Sequence, residues 1–394
     1  MPVSWEQKEL GEVATLLSGG TPSKSNPDYW GGTIPWITAK DLKTFYLSTS
    51  GIKVTEAGAK NGTRVVPKGT VLILVRGMAL KKDIPLGVTT ADVTFNQDVK
   101  ALIPKDINPD YLGCFLFYKK PLLMNLVSET GHGAGRLQTD LLSSLPISVP
   151  SKQEQRRIAD VFALWDRAIV LCEKLLIEKK KFNRGLTEQL ISGRRRFPAF
   201  KAPWVDVRIS DITRESKQRN NGELGPESVR AVNKTLGMIP MRERSMAANL
   251  DRYKVVNKNW FAYNPMRINV GSICLWRDEM PALVSPDYVV FECDETRVDP
   301  LYVDYLRRIR RWQHYVQVVG NGSVRVRIFY KDLGAITFKI PSLEEQREIT
   351  NLLVDSDHEI SCFTKYIDLL RTQQKALMQL LLTGKKRIKT DIIL

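Results

Sequence analysis

Arginine and lysine beside loops and strand ends are the residues of this chain best suited to bind a charged ligand. In the first half they are Lys24, Lys40, Lys43, Arg76, Lys81, Lys82 and Arg136; in the second they are Arg219, Arg242, Arg244, Arg267, Arg277, Arg325 and Arg327. A guanidinium on a rigid edge presents a planar fork of donors that matches phosphate, or the O6/N7 edge of guanine, in a bidentate pair. Arg76 follows the apolar run Val71-Leu72-Ile73-Leu74-Val75, and Arg267 follows Trp260-Phe261-Ala262-Tyr263 and its turn. Arg136 and Arg327 follow the glycine-rich stretches 131–135 and 320–322, where missing side chains let backbone approach a phosphate. A basic loop residue on its own is usually a solvated surface group, so the weight lies on the positions that recur in both halves.

Bond-making chemistry is harder to find. There is no Gly-x-x-x-x-Gly-Lys-Ser/Thr phosphate loop, nucleophile elbow or HExxH. The tetrads Asn26-Pro27-Asp28-Tyr29 and Asn108-Pro109-Asp110-Tyr111 lack the second proline of an adenine-methylating loop, and turn chemistry explains them more simply. Asp287, Glu292 and Asp294 are close in sequence, but no lysine two residues after an acid completes a nuclease-type magnesium cluster. His132, between Gly131 and Gly133, reads as a loop residue. Five scattered cysteines (114, 172, 274, 293, 362) form no CxxC, and there are only three histidines. A disulfide framework, a zinc finger and most histidine metal sites are therefore not expected. A self-contained DNA enzyme is disfavoured on the same grounds, and no cofactor is expected on this chain.

The elements that must position the basic residues come as a repeat. Pro150-Ser151-Lys152-Gln153-Glu154-Gln155-Arg156-Arg157-Ile158 matches Pro341-Ser342-Leu343-Glu344-Glu345-Gln346-Arg347-Glu348-Ile349, 191 residues later. The same offset relates Gly193 to Gly384, Arg76 to Arg267, Pro109 to Pro300, Arg136 to Arg327 and Leu142 to Leu333. Trp5 and Trp204 open similar phrases at the start of each half. The unit is a variable domain followed by a long helix, used twice.

Ile158, Phe162, Trp165, Ile169, Cys172 and Leu176 step by 4-3-4-3-4, a coiled-coil seam. Ile349, Leu353, Ser356, Ile360, Phe363 and Ile367 fill the same phases. Ser151 and Ser342, each with a Glu three residues on, predict capping-box starts, and Gly193 and Gly384 predict helix ends. About 40 residues at 1.5 Å each give a rod of roughly 60 Å. In the variable domains, β-rich runs at 63–75, 99–103, 260–263, 272–276, 288–292 and 335–340 alternate with Gly/Pro loops. Helices are expected at 109–118 and 300–311. The fold class is α+β or mixed α/β.

The 394 residues carry 59 Lys+Arg against 43 Asp+Glu, a formal charge of +16. That balance favours a polyanionic partner, nucleic acid before membrane. The excess sits on 151–201, which ends in Arg194-Arg195-Arg196, and on 202–341. No apolar run approaches the roughly 20 residues of a membrane span, and the N-terminal residues show no apolar signal core. The expected setting is reduced and cytoplasmic.

This layout resembles the DNA-specificity subunits of type I restriction–modification systems, over essentially the whole chain. The first half carries Gly19-Gly20-Thr21-Pro22-Ser23, Tyr29-Trp30-Gly31-Gly32-Thr33-Ile34-Pro35-Trp36-Ile37, Arg76-Gly77 and Asn96-Gln97-Asp98. The second carries Tyr263-Asn264-Pro265-Met266-Arg267-Ile268-Asn269-Val270-Gly271-Ser272 and Val284-Ser285-Pro286-Asp287-Tyr288-Val289-Val290-Phe291. It lacks the Gly-Gly-Thr-Pro phrase, so its reader is of another subtype. The resemblance implies target-recognition domains at 1–150 and 202–341. It implies spacer helices with tails at 151–201 and 342–394, pairing as an antiparallel coiled coil that acts as a ruler. It further implies binding of double-stranded DNA at an asymmetric two-part site, two separate methylation subunits using S-adenosylmethionine, and motor-nuclease restriction subunits. The chain itself would be a non-catalytic guide. Two alternatives are a specificity chain of a methyltransferase-only system and a coiled-coil scaffold with protein-binding domains.

Overall fold

The computed structural model describes residues 5–241, 246–319 and 327–388. The chain forms two compact units, Met1–Glu173 with Tyr366–Leu394, and Lys174–Lys365. Each therefore holds one variable domain together with part of each long helix, Lys152–Ile191 and Leu343–Leu382.

In the first unit a five-stranded sheet runs in the order Ala14–Ser18, Val99–Pro104, Val71–Leu74, Leu86–Thr89, Tyr46–Leu47. Its pairs are antiparallel except the last. Val71–Leu74, β-branched and leucine-rich, is buried on both faces, as expected of a central strand. A four-stranded sheet (Lys53–Val54, Trp30–Ile37, Val93–Phe95, Val65–Val66) and a three-stranded one (Val127–Glu129, Gly135–Leu137, Arg76–Gly77) complete the domain. The run expected at 63–75 is thus two strands, broken where Pro67 and Gly69 (φ 84°) turn the chain. Helix Pro109–Tyr118 forms as expected, with Asn108 accepting from the Tyr111 amide.

In the second unit the main sheet is fully antiparallel, in the order Thr213–Ser216, Val289–Cys293, Phe261–Tyr263, Ile273–Leu275. The helix expected at 300–311 ends at Leu306, and a second helix, Arg310–Val319, follows. The predominance of antiparallel pairs settles the class as α+β.

Both units close in the same way. The opening strand pairs with the last strand before the long helix, Glu6–Glu9 with Pro146–Val149 and Val205–Arg208 with Thr337–Ile340. Glu154 and Glu345, each 2% exposed in the side chain, sit at the helix starts. Trp5 Nε1 donates to Glu154 and Trp204 Nε1 to Glu345, both at 3.2 Å. Arg387 grips Glu154 with two nitrogens (2.6 and 2.7 Å), and Arg196 grips Glu345 (2.9 and 2.8 Å). Each guanidinium also lies over the neighbouring tryptophan ring. The capping boxes are thus half-formed. The serine hydroxyls cap Glu154 N and Glu345 N, but the glutamates turn away to an arginine and a tryptophan, a stronger charge-assisted pairing. Arg196, read from sequence as part of a basic tail, is in fact an internal clamp. Gly193 and Gly384 end the helices at φ 71°, as expected of left-handed caps.

Within each unit the helices run antiparallel. In the first, Glu173 meets Arg371 near the middle and Glu154 meets Arg387 at the end. In the second, Lys179 meets Glu359 and Asn183 meets Asp357. The seam does more than join helices. Ile158 and Phe162 enter the first domain's core with Met378, Leu381 and Leu382, and Ile349 and Leu353 enter the second's with Leu190 and Ile191. Ile169 and Ile367 are buried, whereas Trp165, Cys172, Leu176, Ile360 and Phe363 are only partly so.

Candidate nucleic-acid interface

Strand Arg76–Gly77 pairs antiparallel with Gly135–Leu137, and the register sets Arg76 directly opposite Arg136. Facing partners in an antiparallel ladder carry their side chains on one face, where like charges repel. Both arginines are exposed, so the fold places two guanidiniums side by side at a solvent-facing edge. Asp98 offsets part of the repulsion by accepting from Arg76 Nε at 2.7 Å. That contact uses one edge of the guanidinium and leaves the Nη pair able to donate to a ligand. Lys81 and Lys82 lie on the adjoining turn. Lys81 pairs with Glu129 at 2.9 Å and both lysines are exposed. Gly77 at φ 143° makes the turn after Arg76, a conformation closed to other residues.

The neighbouring glycine phrase is structural. A side chain at Gly19 would lie 2.2 Å from the Phe95 carbonyl, and one at Gly20 2.2 Å from that of Gly62. Thr21 Oγ1 donates to Gln97 at 2.6 Å, Trp36 Nε1 to the Gly20 carbonyl and Trp30 Nε1 to that of Ser23. Asn96-Gln97-Asp98 therefore links the Gly-Gly-Thr-Pro loop, and exposed Lys24 at its end, to the Arg76 strand. Lys40 is exposed in the turn after Trp30–Ile37. Lys43 is placed differently: it lines a cavity against the long helices with Phe45 and Phe162, and none of the ladder residues shares it.

The second unit repeats the ladder in reduced form. Ile328 N donates to the Pro265 carbonyl at 3.1 Å, as Leu137 N does to that of Val75 at 2.9 Å, so Arg327 returns beside the Arg267 turn. Arg267 is exposed and heads a single 3-10 turn, Ile268–Val270; among the described residues its guanidinium has no ion-pair partner. Arg327 is exposed too. Arg277 follows strand Ile273–Leu275 and lines a recess with Lys234 and Arg307. Arg219 donates to the Arg252 carbonyl at 2.6 Å, which fixes its direction. Arg242, Arg244 and Arg325 lie outside the described residues.

The weaker chemical candidates resolve as structure. Glu292 holds Arg214, Asp294 caps the turn at Thr296, and Asn26 and Asn108 cap short helices. Among the described residues no three His, Cys, Asp or Glu are grouped to hold a metal, and no helix is long and apolar enough to cross a membrane. Burial pushes the thiols of Cys114, Cys274 and Cys293 above their ordinary value, so none is an activated nucleophile.

Comparison with known proteins agrees with this frame. Residues 2–179 match the type I restriction modification DNA specificity domain. The chain is 30% identical over 200 residues to the type I restriction enzyme MjaIX specificity subunit of Methanocaldococcus jannaschii. It is 32% identical over 164 residues to the EcoR124I/EcoR124II specificity subunit of Escherichia coli. The matched stretches are 48% and 41% of this chain and span 42% and 41% of those relatives. The solved type I restriction–modification S subunit from M. genitalium superposes over 97% of this chain and 96% of its own, with a TM-score of 0.55 and 14% identity.

Proposed function

We infer that this chain, whose residues 2–179 match the type I restriction modification DNA specificity domain, is a non-catalytic specificity subunit that reads a two-part asymmetric DNA site. The facing arginines Arg76 and Arg136 carry the reading. A protein places two like charges on one exposed ladder at a cost, and a polyanion in the groove repays it. The domains at 1–150 and 202–341 are the two readers. Their unlike loops, Gly-Gly-Thr-Pro in one and Asn264-Pro265-Met266-Arg267 in the other, support unlike half-sites. Arg76 and Arg267 are the candidates for base contact, whereas Lys24, Lys40, Lys81 and Lys82 suit phosphates, which position without specifying.

The segments 151–201 and 342–394 set the spacer between the half-sites. Partners in this reading are double-stranded DNA, two methylation subunits that bring S-adenosylmethionine, and restriction subunits, all in the cytoplasm. The test is selection from random duplex DNA by the chain in complex with a type I methylation subunit from the same genome. The expected result is one motif with two unlike halves at a fixed gap. Binding that shows no sequence preference at physiological salt would overturn the reading and favour a scaffold.

A further inference from the structure

The joint between domain and helices is built differently in the two units, although equivalent positions form it. In the second unit the Asp357 carboxylate accepts from Tyr305 Oη at 3.0 Å, from Arg308 at 2.9 Å and from Asn183 Nδ2 at 2.7 Å. The Arg308 guanidinium also lies 4.2 Å from the Tyr305 ring centroid. One repeat away, the same positions in the first unit are Asp166, Cys114, Phe117 and Gln374. Phe117 has no donor, and the Cys114 thiol, a weak one, carries no charge to match that of Arg308. Among the described residues Asp166 makes no ion pair or hydrogen bond, and the buried Gln374 Nε2 has no acceptor. Between them is a cavity of about 630 Å³ walled by Phe45, Phe117, Phe162, Ile169 and Met378. Of the cations around it, Arg371 is held by Glu173 and Asp368 and Lys120 by Asp83, while Lys43 and Lys375 are solvent-exposed.

We propose that this cavity binds a small organic cation on an aromatic body, its charged head on Asp166 and its ring among Phe45, Phe117 and Phe162. Such a ligand supplies what Tyr305 and Arg308 supply in the sister unit: a hydrogen-bonding cation and a ring to stack against it. Burial holds the Asp166 carboxyl above the ordinary range, the state of an acid that lacks its counter-ion. The proposal does not depend on the DNA-reading role.

The probe is benzamidine, titrated calorimetrically into the full chain, with benzamide as neutral and benzoate as anionic isostere. Saturable one-site binding of benzamidine is expected, with benzamide about tenfold weaker or worse. Asp166→Asn should cost benzamidine about tenfold and leave benzamide unchanged. The double substitution Cys114→Tyr, Phe117→Arg should fill the cavity and abolish both. Three results overturn the proposal: no saturable binding, an affinity indifferent to Asp166→Asn or to the double substitution, or a preference for benzoate. The last would assign the cavity to Lys43 and Lys375 instead.

Discussion

The first unit joins its domain to the helices with aromatic rings, and the second does so with charge. In the first, Phe117 meets Phe45 and Phe162 edge to face and Phe45 meets Phe162 at a tilt, with centroids 4.8–6.2 Å apart. In the second, Asp304, only 5% exposed, takes Arg307 at 2.7 Å and Arg308 at 2.5 Å, and Arg308 passes on to Asp357. The position of Asp304 is Gly113 in the first unit, where a side chain would lie 2.5 Å from Val88 and 3.0 Å from Phe45. The aromatic joint thus excludes the acid, and the acid joint replaces the rings. The same Trp–Glu–Arg clamp stands at each helix start, so equivalent positions beside it carry two different side-chain solutions.

The largest effects should separate the two joints. Phe162→Ala removes two of the three aromatic contacts, those to Phe45 and Phe117, and should cost about 3–5 kcal/mol in the first unit. Asp304→Asn leaves two guanidiniums without their buried partner and should cost about 3–5 kcal/mol in the second. Hydrogen exchange resolved by unit measures both, and a loss spread evenly over the molecule would break the comparison. Arg267→Ala should weaken specific DNA binding by about 1–3 kcal/mol and relax one half-site. Arg76→Ala should relax the other, as read by competition with mismatched duplexes. An unchanged motif removes either arginine from the interface.

The smallest effects are the sharpest, because they differ in sign. Asp357→Asn should destabilise the second unit and Asp166→Asn stabilise the first, each by about 1 kcal/mol or less given partial exposure. The pH dependence follows the same division. Burial pushes the Asp304 carboxyl up, but Arg307 and Arg308 outweigh it and hold the group below its ordinary value. Its stabilisation is therefore complete above the ordinary carboxylate range and lost as pH falls through the lowered folded value. Asp166 is shifted upward, first by burial and then by Glu173, so the folded first unit keeps its proton to higher pH and loses stability as pH rises through that window. Mild acidification should then strengthen the first unit before the second weakens. A parallel response in both would contradict this assignment.

Local signals carried much of this into the sequence. The 191-residue offset, the seam phases, the serine caps and the terminal glycines were legible because each depends on residues within a few turns of one helix. The residues Arg76, Arg136, Arg267 and Arg327 stood out by recurrence, but the ladder that sets Arg76 against Arg136 did not, since strand register is decided by partners sixty residues apart. The clamp was misread for the same reason. Glu154 looks like a capping residue until Trp5 and Arg387, 149 and 233 residues away, claim its carboxylate. Nothing local to Lys43 shows that the long helices pack beside it.

The central claim is that two unlike domains in one chain read two halves of one DNA site. Its most direct test is a map of N6-methyladenine in a methylation-free host co-expressing this chain with a type I methylation subunit from the same genome. The account predicts a single two-part motif with unlike halves and a fixed gap, of which exchange of residues 1–150 changes one half only. Absence of methylation above background in a confirmed complex, or a change in both halves after the exchange, would contradict it.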